Sequence, residues 1–129
     1  METVFKKSFK EFYAFIILVL LSLLTIAADY RYNQLNYVIE QTCFCAINPN
    51  MRKNYEQLAS NLLVKGGKLI GLWFPLDKDI SEGGPAWATS IEEVKKIFSD
   101  GWVIEREEFS PLSIKPRKGR EKLIIFRKV

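Results

Sequence analysis

No glycine occurs before Gly66, and all seven lie at or after it. Glycine lets backbone approach a bound nucleotide closely through turns that other residues adopt only at a cost. Residues 1–65 therefore offer no glycine-rich cofactor loop. Histidine is missing altogether. Its absence excludes Ser-His and Cys-His nucleophilic pairs. With only Cys43 and Cys45 as thiols, it also leaves no ligand set for a zinc site, and no metal is expected. The two cysteines stand one residue apart, a poor spacing for a disulfide, and read as reduced thiols.

Positive charge is scarce outside one tail. Seven of the nineteen basic residues lie in 115–128, facing a single acid, Glu121; the rest of the chain holds twelve basic and fourteen acidic residues. The overall +4 is thus a local feature. No aromatic-interleaved basic face accompanies it, so nucleic acid is not an expected partner.

What the sequence does have is one long apolar run. Phe12 to Ala28, FYAFIILVLLSLLTIAA, carries no charge over seventeen residues and follows Lys6, Lys7 and Lys10. That length is at the short end for crossing a hydrocarbon core of about 30 Å. The pattern fits a single-pass membrane anchor over 12–28, or a signal peptide cut near Thr25-x-Ala27. It also fits a helix packed in a core, or sequence brought in by an alternative start. Lysines before the run and only Arg31 soon after it place an anchored N-terminus inside the cell. The division expected is an apolar N-terminal helix within 1–33 and a folded domain over 34–129.

Within 34–129 strands and helices alternate. Asn36 to Glu40 reads as a short buried strand. Asn48 is a suitable N-cap with Pro49 at the first helical position. Met51, Tyr55, Leu58, Ala59, Leu62 and Leu63 then recur at helical spacing, and Gly66 is the expected left-handed helix cap. Lys68 to Phe74 is nearly continuous apolar sequence, which suits a parallel strand covered on both faces. The Pro-, Gly- and Asp-rich stretch 75–89 cannot be regular and is the expected lid. Ser90 with Glu93 forms a capping box before a helix lined by Ile91, Val94, Ile97 and Phe98. Strands are expected at Trp102–Phe109 and Lys122–Lys128. The class is α/β: an incomplete doubly wound, Rossmann-like sheet of about four strands with two helices. The strand at 36–40 would have a bare edge, open to a dimer partner or a complementary half-domain.

The run Glu40, Gln41, Thr42, Cys43, Phe44, Cys45, Ala46, Ile47, Asn48, Pro49 resembles the recurrent strand-end motif of the thiol and thiopurine S-methyltransferase family, with Cys43 where an aromatic is usual. The Arg52–Gly67 block, the Gly83-Gly84-Pro85 loop and the tail from Lys115 to Lys122 are similar to the family as well. The likeness covers about residues 34–129, the C-terminal half of such an enzyme. It implies a class I methyltransferase sheet whose last strand is antiparallel, S-adenosylmethionine as cofactor, and a small thiol or halide as acceptor. It also implies cofactor contacts at Glu40, Gln41 and Thr42, and an acceptor rim of Phe74, Pro75, Asp77, Trp87 and Arg117. Read without the resemblance, the first three are polar groups at a strand end. Asp77 favours a turn, Trp87 packs within its loop, and Arg117 belongs to a solvated basic hairpin. Cys45 reads as a packing thiol.

The leader and the resemblance conflict. S-adenosylmethionine is a cytosolic cofactor, so a domain held outside the cell would lack its methyl donor, whereas a cytoplasmic location removes the difficulty. Two outcomes are therefore expected. One is a truncated or rearranged methyltransferase without its glycine-rich cofactor loop. The other is a membrane-anchored, non-catalytic interaction module built on the half-fold.

Overall fold

The computed structural model describes residues 16–21 and 34–129. The chain divides into two compact units, Met1–Asn33 and Gln34–Val129. In the first unit, residues 16–21 are helical with exposed side chains. No helix among the described residues is long and apolar enough to cross a membrane. The rest of the run 12–28, on which the expected span depends, lies outside the described residues.

The second unit is a four-stranded mixed sheet with helices in its connections. β1 (Leu35–Gln41) leads through the one-turn helix α1 (Cys43–Ala46) and a 3-10 turn (Pro49–Met51) into α2 (Arg52–Leu62) and β2 (Leu63–Trp73). A second 3-10 turn (Ile80–Glu82) and α3 (Ile91–Ile97) follow, then β3 (Trp102–Glu108) and β4 (Lys122–Lys128). The spatial order is β1-β2-β4-β3. β1 and β2 are parallel, and β4 runs antiparallel to both of its neighbours. A mixed sheet of about four strands with its final strand reversed was the expectation, and it is what the chain forms.

Local chemistry explains most boundaries. The Asn48 side chain accepts from Asn50 N at 3.0 Å, and Ser90 Oγ accepts from Glu93 N at 3.1 Å, each satisfying a donor that a helix start leaves unpaired. The Glu93 carboxylate does not complete a capping box; it pairs with Arg52 Nη1 at 2.7 Å.

Further expectations fail. β1, read as a buried strand, exposes Leu35, Tyr37 and Ile39, and β2, read as covered on both faces, fully buries only alternate residues. Gly66 does not cap α2, which ends at Leu62; Leu63 is already extended and fully buried as the first residue of β2. The work expected of a glycine cap is done by Lys128, whose ammonium donates to the carbonyls of Ser60 (2.6 Å) and Leu63 (2.9 Å). Gly66 instead takes its positive φ of 82° inside β2, where the β1–β2 register shifts between Leu35 and Tyr37. Another failure concerns the buried face of α2. Met51 and Leu58 are exposed, while Arg52, Glu56 and Ala59 are buried. Polar partners across the fold outweigh hydrophobicity here. Glu56 accepts from Trp102 Nε1 and from Lys53 Nζ, both at 2.7 Å. Arg52 holds Glu93 and donates to the Ala88 carbonyl at 2.9 Å.

The core lies on one face of the sheet. Leu69 and Trp73 from β2 and Ile124 and Phe126 from β4 meet Phe44, Ala59, Val94 and Phe98 from the helical side. Trp73 is its hub, with ring centroids 5.0 Å from Phe44, 5.4 Å from Phe98 and 6.0 Å from Phe126. Its indole lies across Gly71, where a Cβ would stand 2.6 Å from the ring. The opposite face carries cross-strand rows Ile39–Ile70–Ile125 and Gln41–Leu72–Leu123, and none of these six side chains is fully buried.

Gly71→Ala should therefore overpack a buried indole and cost about 1–3 kcal/mol. The measurement is the urea midpoint by tryptophan fluorescence, and an unchanged midpoint would show that Trp73 can yield.

Candidate functional site

A cleft of about 320 Å³ opens where β1 and β2 reach their carboxyl ends, on the face away from the aromatic core. Its floor is Ile39, Ile70, Leu72 and Leu123 from three adjacent strands; Gln41 and the edge of Glu40 close one end. Ser110, Leu112, Ser113, Ile114, Arg117 and Glu121, from the β3–β4 connection, form the overhanging wall. Carboxyl ends of parallel strands are where open α/β sheets place ligands, because the connections diverge there.

The corner next to the cleft is built around Glu40. Its carboxylate is buried, accepts from Phe44 N at 2.9 Å and takes a short hydrogen bond from the Tyr55 hydroxyl. One side chain thus joins the end of β1 to the first turn of α1 and to α2. Thr42 turns the chain between them with φ 76° and remains exposed, its hydroxyl donating to the Gln41 carbonyl. Burial, followed by the adjoining Glu40, pushes the Tyr55 phenol well above its ordinary value and raises both Cys43 and Cys45. Cys45 is buried, with Sγ donating to the Thr42 carbonyl at 3.2 Å. A thiol kept protonated in this way packs and is not a nucleophile.

The stretch 75–89 is tied down at several points. Thr89 N donates to Pro75 O at 3.0 Å, Trp87 N to Cys45 O at 2.7 Å, and Arg52 reaches Ala88. Trp87 is half-buried, with its ring against Gly84, where a Cβ would meet it at 2.4 Å. Pro75 is buried beneath the loop.

Two guanidinium groups lie against the Phe74 ring, Arg117 at 4.4 Å and Arg120 at 5.2 Å from its centroid. Arg120 Nε donates to Asp77 at 2.6 Å, and this contact holds the exposed Asp77 carboxyl below the usual carboxylate range. Arg117 Nη1 donates to the buried Glu121 at 3.1 Å.

Gln41, Glu40 and Arg117 thus share the cleft, and Phe74, Asp77 and Arg117 form a cluster beside it. Thr42 and Trp87 are not part of the cleft lining. Sequence reasoning missed Tyr55, Ser113 and Glu121. Glu121 stands four residues after Arg117, a spacing at which opposite charges commonly meet, so that pair was legible. Ser113 left no signal, because nothing in its neighbours marks where the loop folds back.

The fit to a nucleotide-bearing cofactor is partial. Gln41 and Thr42 keep their side chains accessible, but both Glu40 oxygens are engaged inside the domain. The glycines with positive φ are Gly66, Gly83, Gly101 and Gly119, so none lies in the connection that follows β1. Among the described residues there is no cluster of groups that could hold a metal ion.

This arrangement has known counterparts. The profile of the thiopurine S-methyltransferase family matches residues 5–127. The chain belongs to that family. The match reaches into the apolar leader that sequence reading set apart from the domain. Among relatives, "Probable thiol methyltransferase 2" of Arabidopsis thaliana is 36% identical over 91 residues, covering 67% of this chain and 38% of that protein. "Thiocyanate methyltransferase 1" of Brassica oleracea is 31% identical over 102 residues, covering 78% and 44%. The chain thus spans about two fifths of the length of these relatives. Similar solved structures include a SAM-dependent methyltransferase from Methanosarcina mazei, with TM-score 0.59, 13% identity, and coverage of 75% of this chain and 60% of that one. Another is 1,6-didemethyltoxoflavin-N1-methyltransferase from Burkholderia thailandensis, solved with S-adenosylhomocysteine, with TM-score 0.55, 15% identity, and coverage of 75% and 45%. These likenesses bear on the fold, which is Rossmann-like.

A phenol held protonated by the fold makes stability depend on pH. The raised Tyr55 pKa means that the contribution is fully present below the unfolded tyrosine value of about 10 and is lost as pH rises beyond it. Tyr55→Phe should lose about 1–3 kcal/mol at pH 7, because buried Glu40 loses a donor, and should show a flatter decline from pH 9 to 11. Urea titrations across that range check both effects, and parallel slopes for the two proteins would remove Tyr55 as the cause.

Proposed function

We propose that this chain serves S-adenosylmethionine-dependent methyl transfer to a small soft nucleophile, a thiol or halide, and contributes the acceptor side of the site. The observation that carries this reading is the cleft itself. An apolar floor at the strand ends and a cation at Arg117 stand together on a methyltransferase sheet. Family membership and the names of the thiol and thiocyanate methyltransferase relatives support the donor and the acceptor class.

The chemistry needs little from acid–base groups, since a sulfonium donor releases a neutral thioether and a soft nucleophile attacks the methyl carbon directly. Positioning is then the main contribution a protein can make. The residues suited to it are Gln41 and Thr42 on the donor side, and Phe74, Pro75, Asp77, Trp87 and Arg117 on the acceptor side. Glu40 acts at one remove, by fixing the corner that presents Gln41 and Thr42. The lack of histidine is compatible with this chemistry and excludes hydrolysis by a Ser-His or Cys-His pair.

A non-catalytic interaction module is the second reading, and what favours it is β1. Among the described residues this strand is a sheet edge, with Leu35, Tyr37 and Ile39 exposed and no charged residue before Glu40. The opposite edge strand, β3, carries Glu105, Arg106, Glu107 and Glu108, the kind of charge that blunts an edge. A dimer partner or a complementary half-domain at β1, and membrane contact through 12–28, belong to this reading.

Calorimetry separates the two. The full chain titrated with S-adenosylmethionine or S-adenosylhomocysteine should give heat once the glycine-rich half of a relative is supplied as a separate polypeptide, and little without it. Silence in both conditions would end the methyl-transfer reading and leave the interaction module.

A further inference from the structure

The cleft on the free sheet face is built for more than a bare ion. Its volume of about 320 Å³ is at the lower end of small-molecule sites and about ten times the share of one liquid water. A halide or thiocyanate would leave most of it empty. Three aliphatic side chains that line it are largely uncovered: Ile39 at 69%, Leu112 at 90% and Ile114 at 63% exposure. Clustered uncovered aliphatics of this kind mark places that something apolar covers.

Polar groups converge at one end only. The Arg117 side chain is 18% exposed and borders the cleft, and Nη1 is its only nitrogen with a protein acceptor among the described residues. Ser113 Oγ is buried on the cleft wall and has no hydrogen-bond partner among the described residues. A buried hydroxyl without a partner is costly, which makes it a strong indication of a missing one. Both carboxylates nearby already have partners, Glu121 in Arg117 Nη1 and Glu40 in Phe44 N and the Tyr55 hydroxyl, so a ligand head would use the guanidinium nitrogens that Glu121 leaves open.

We infer that the cleft takes an apolar molecule with a single carboxylate head. The head sits between the Arg117 guanidinium and the Ser113 hydroxyl, and the body lies along Ile39, Ile70, Leu72 and Leu123. Arg117 supplies charge and fork geometry, and the hydroxyl donates the hydrogen bond it now lacks. The strand floor contributes affinity in proportion to the apolar surface it covers. The inference rests on the acceptor-side reading for the cleft's role, and binding is measured without any methyl donor.

The experiment is a ladder of straight-chain carboxylates, butyrate, hexanoate and octanoate, titrated below micelle formation into the full chain and followed by NMR or calorimetry. Affinity should rise about fourfold per added methylene until the floor is covered. Octanoate should bind at least tenfold tighter than octanol, and thiocyanate should bind weakest. In Arg117→Gln/Glu121→Gln, which avoids leaving a buried carboxylate unpaired, the octanoate–octanol difference should vanish while the methylene slope persists. Ser113→Ala should weaken octanoate severalfold and yet raise the melting temperature of the free chain, a pair of effects that a purely structural hydroxyl would not produce. A flat ladder, thiocyanate binding as tightly as octanoate, or head preference unchanged in the double variant would each overturn the inference. So would sedimentation showing that a second copy of the chain fills the cleft and excludes octanoate. A failed ladder with donor heat retained sinks this assignment alone; absent donor heat with an intact ladder sinks only the methyl-transfer reading.

Discussion

One buried carboxylate holds the functional end of this domain in shape. Glu40 ends a strand, accepts from the first turn of α1 through Phe44 N, and binds α2 through the Tyr55 hydroxyl. Without those partners a carboxyl group at 2% exposure would be costly to bury. With them it becomes the pin that fixes where the chain leaves the sheet, and the left-handed Thr42 and the cleft end at Gln41 follow from that exit. Burial, with Glu40 adding to it, raises the pKa of the neighbouring thiols and phenol, so the corner is chemically quiet. Reactivity, where it exists, is left to the rim and to whatever binds there.

The rest of the domain supports that corner from one side. Phe44 follows the pin directly and packs against Trp73, which carries the contact to Phe98 and Phe126, so the strand-end turn is continuous with the core. Arg52 plays the matching role for the loop, passing from α2 to Ala88 and Glu93 with its guanidinium 4.5 Å from the Phe44 ring centroid. Core, corner and loop are therefore packed against one another without a break. All of this lies on one face of the sheet. The other face keeps its aliphatic rows partly open, and the basic tail that was conspicuous in the sequence folds over the end of that face.

Much of the architecture was legible beforehand. β4 was expected at its observed limits, and the other three strands were each placed, although β2 begins five residues earlier than Lys68. Continuous apolar runs and capping residues act locally, so a reader of the sequence can use them. The failures have a common origin. Gly66 was read as a helix cap because glycine suits that conformation, but Leu63 is drawn into the core and Lys128, distant in sequence, takes over the carbonyls. Met51 and Leu58 were read as core because they are apolar, but Arg52 and Glu56 are buried in their place by partners more than thirty residues away. Periodicity cannot register a partner that only the fold supplies.

Site residues divide along the same line. The strand-end motif brought Glu40, Gln41 and Thr42 to attention together, yet the fold gives them separate tasks: one a pin, one a cleft wall, one a turn. Phe74, Asp77 and Arg117 are joined through ring and ion contacts that link β2 to the tail. By itself, then, the sequence determined the class of the domain, the family it belongs to and the kinds of chemistry it excludes, because composition, local spacing and motif are properties of the chain. Only the tertiary structure decided which polar groups are consumed as struts and which are left facing a cleft, because a hydrogen bond satisfied across the fold depends on distances that no stretch of sequence contains.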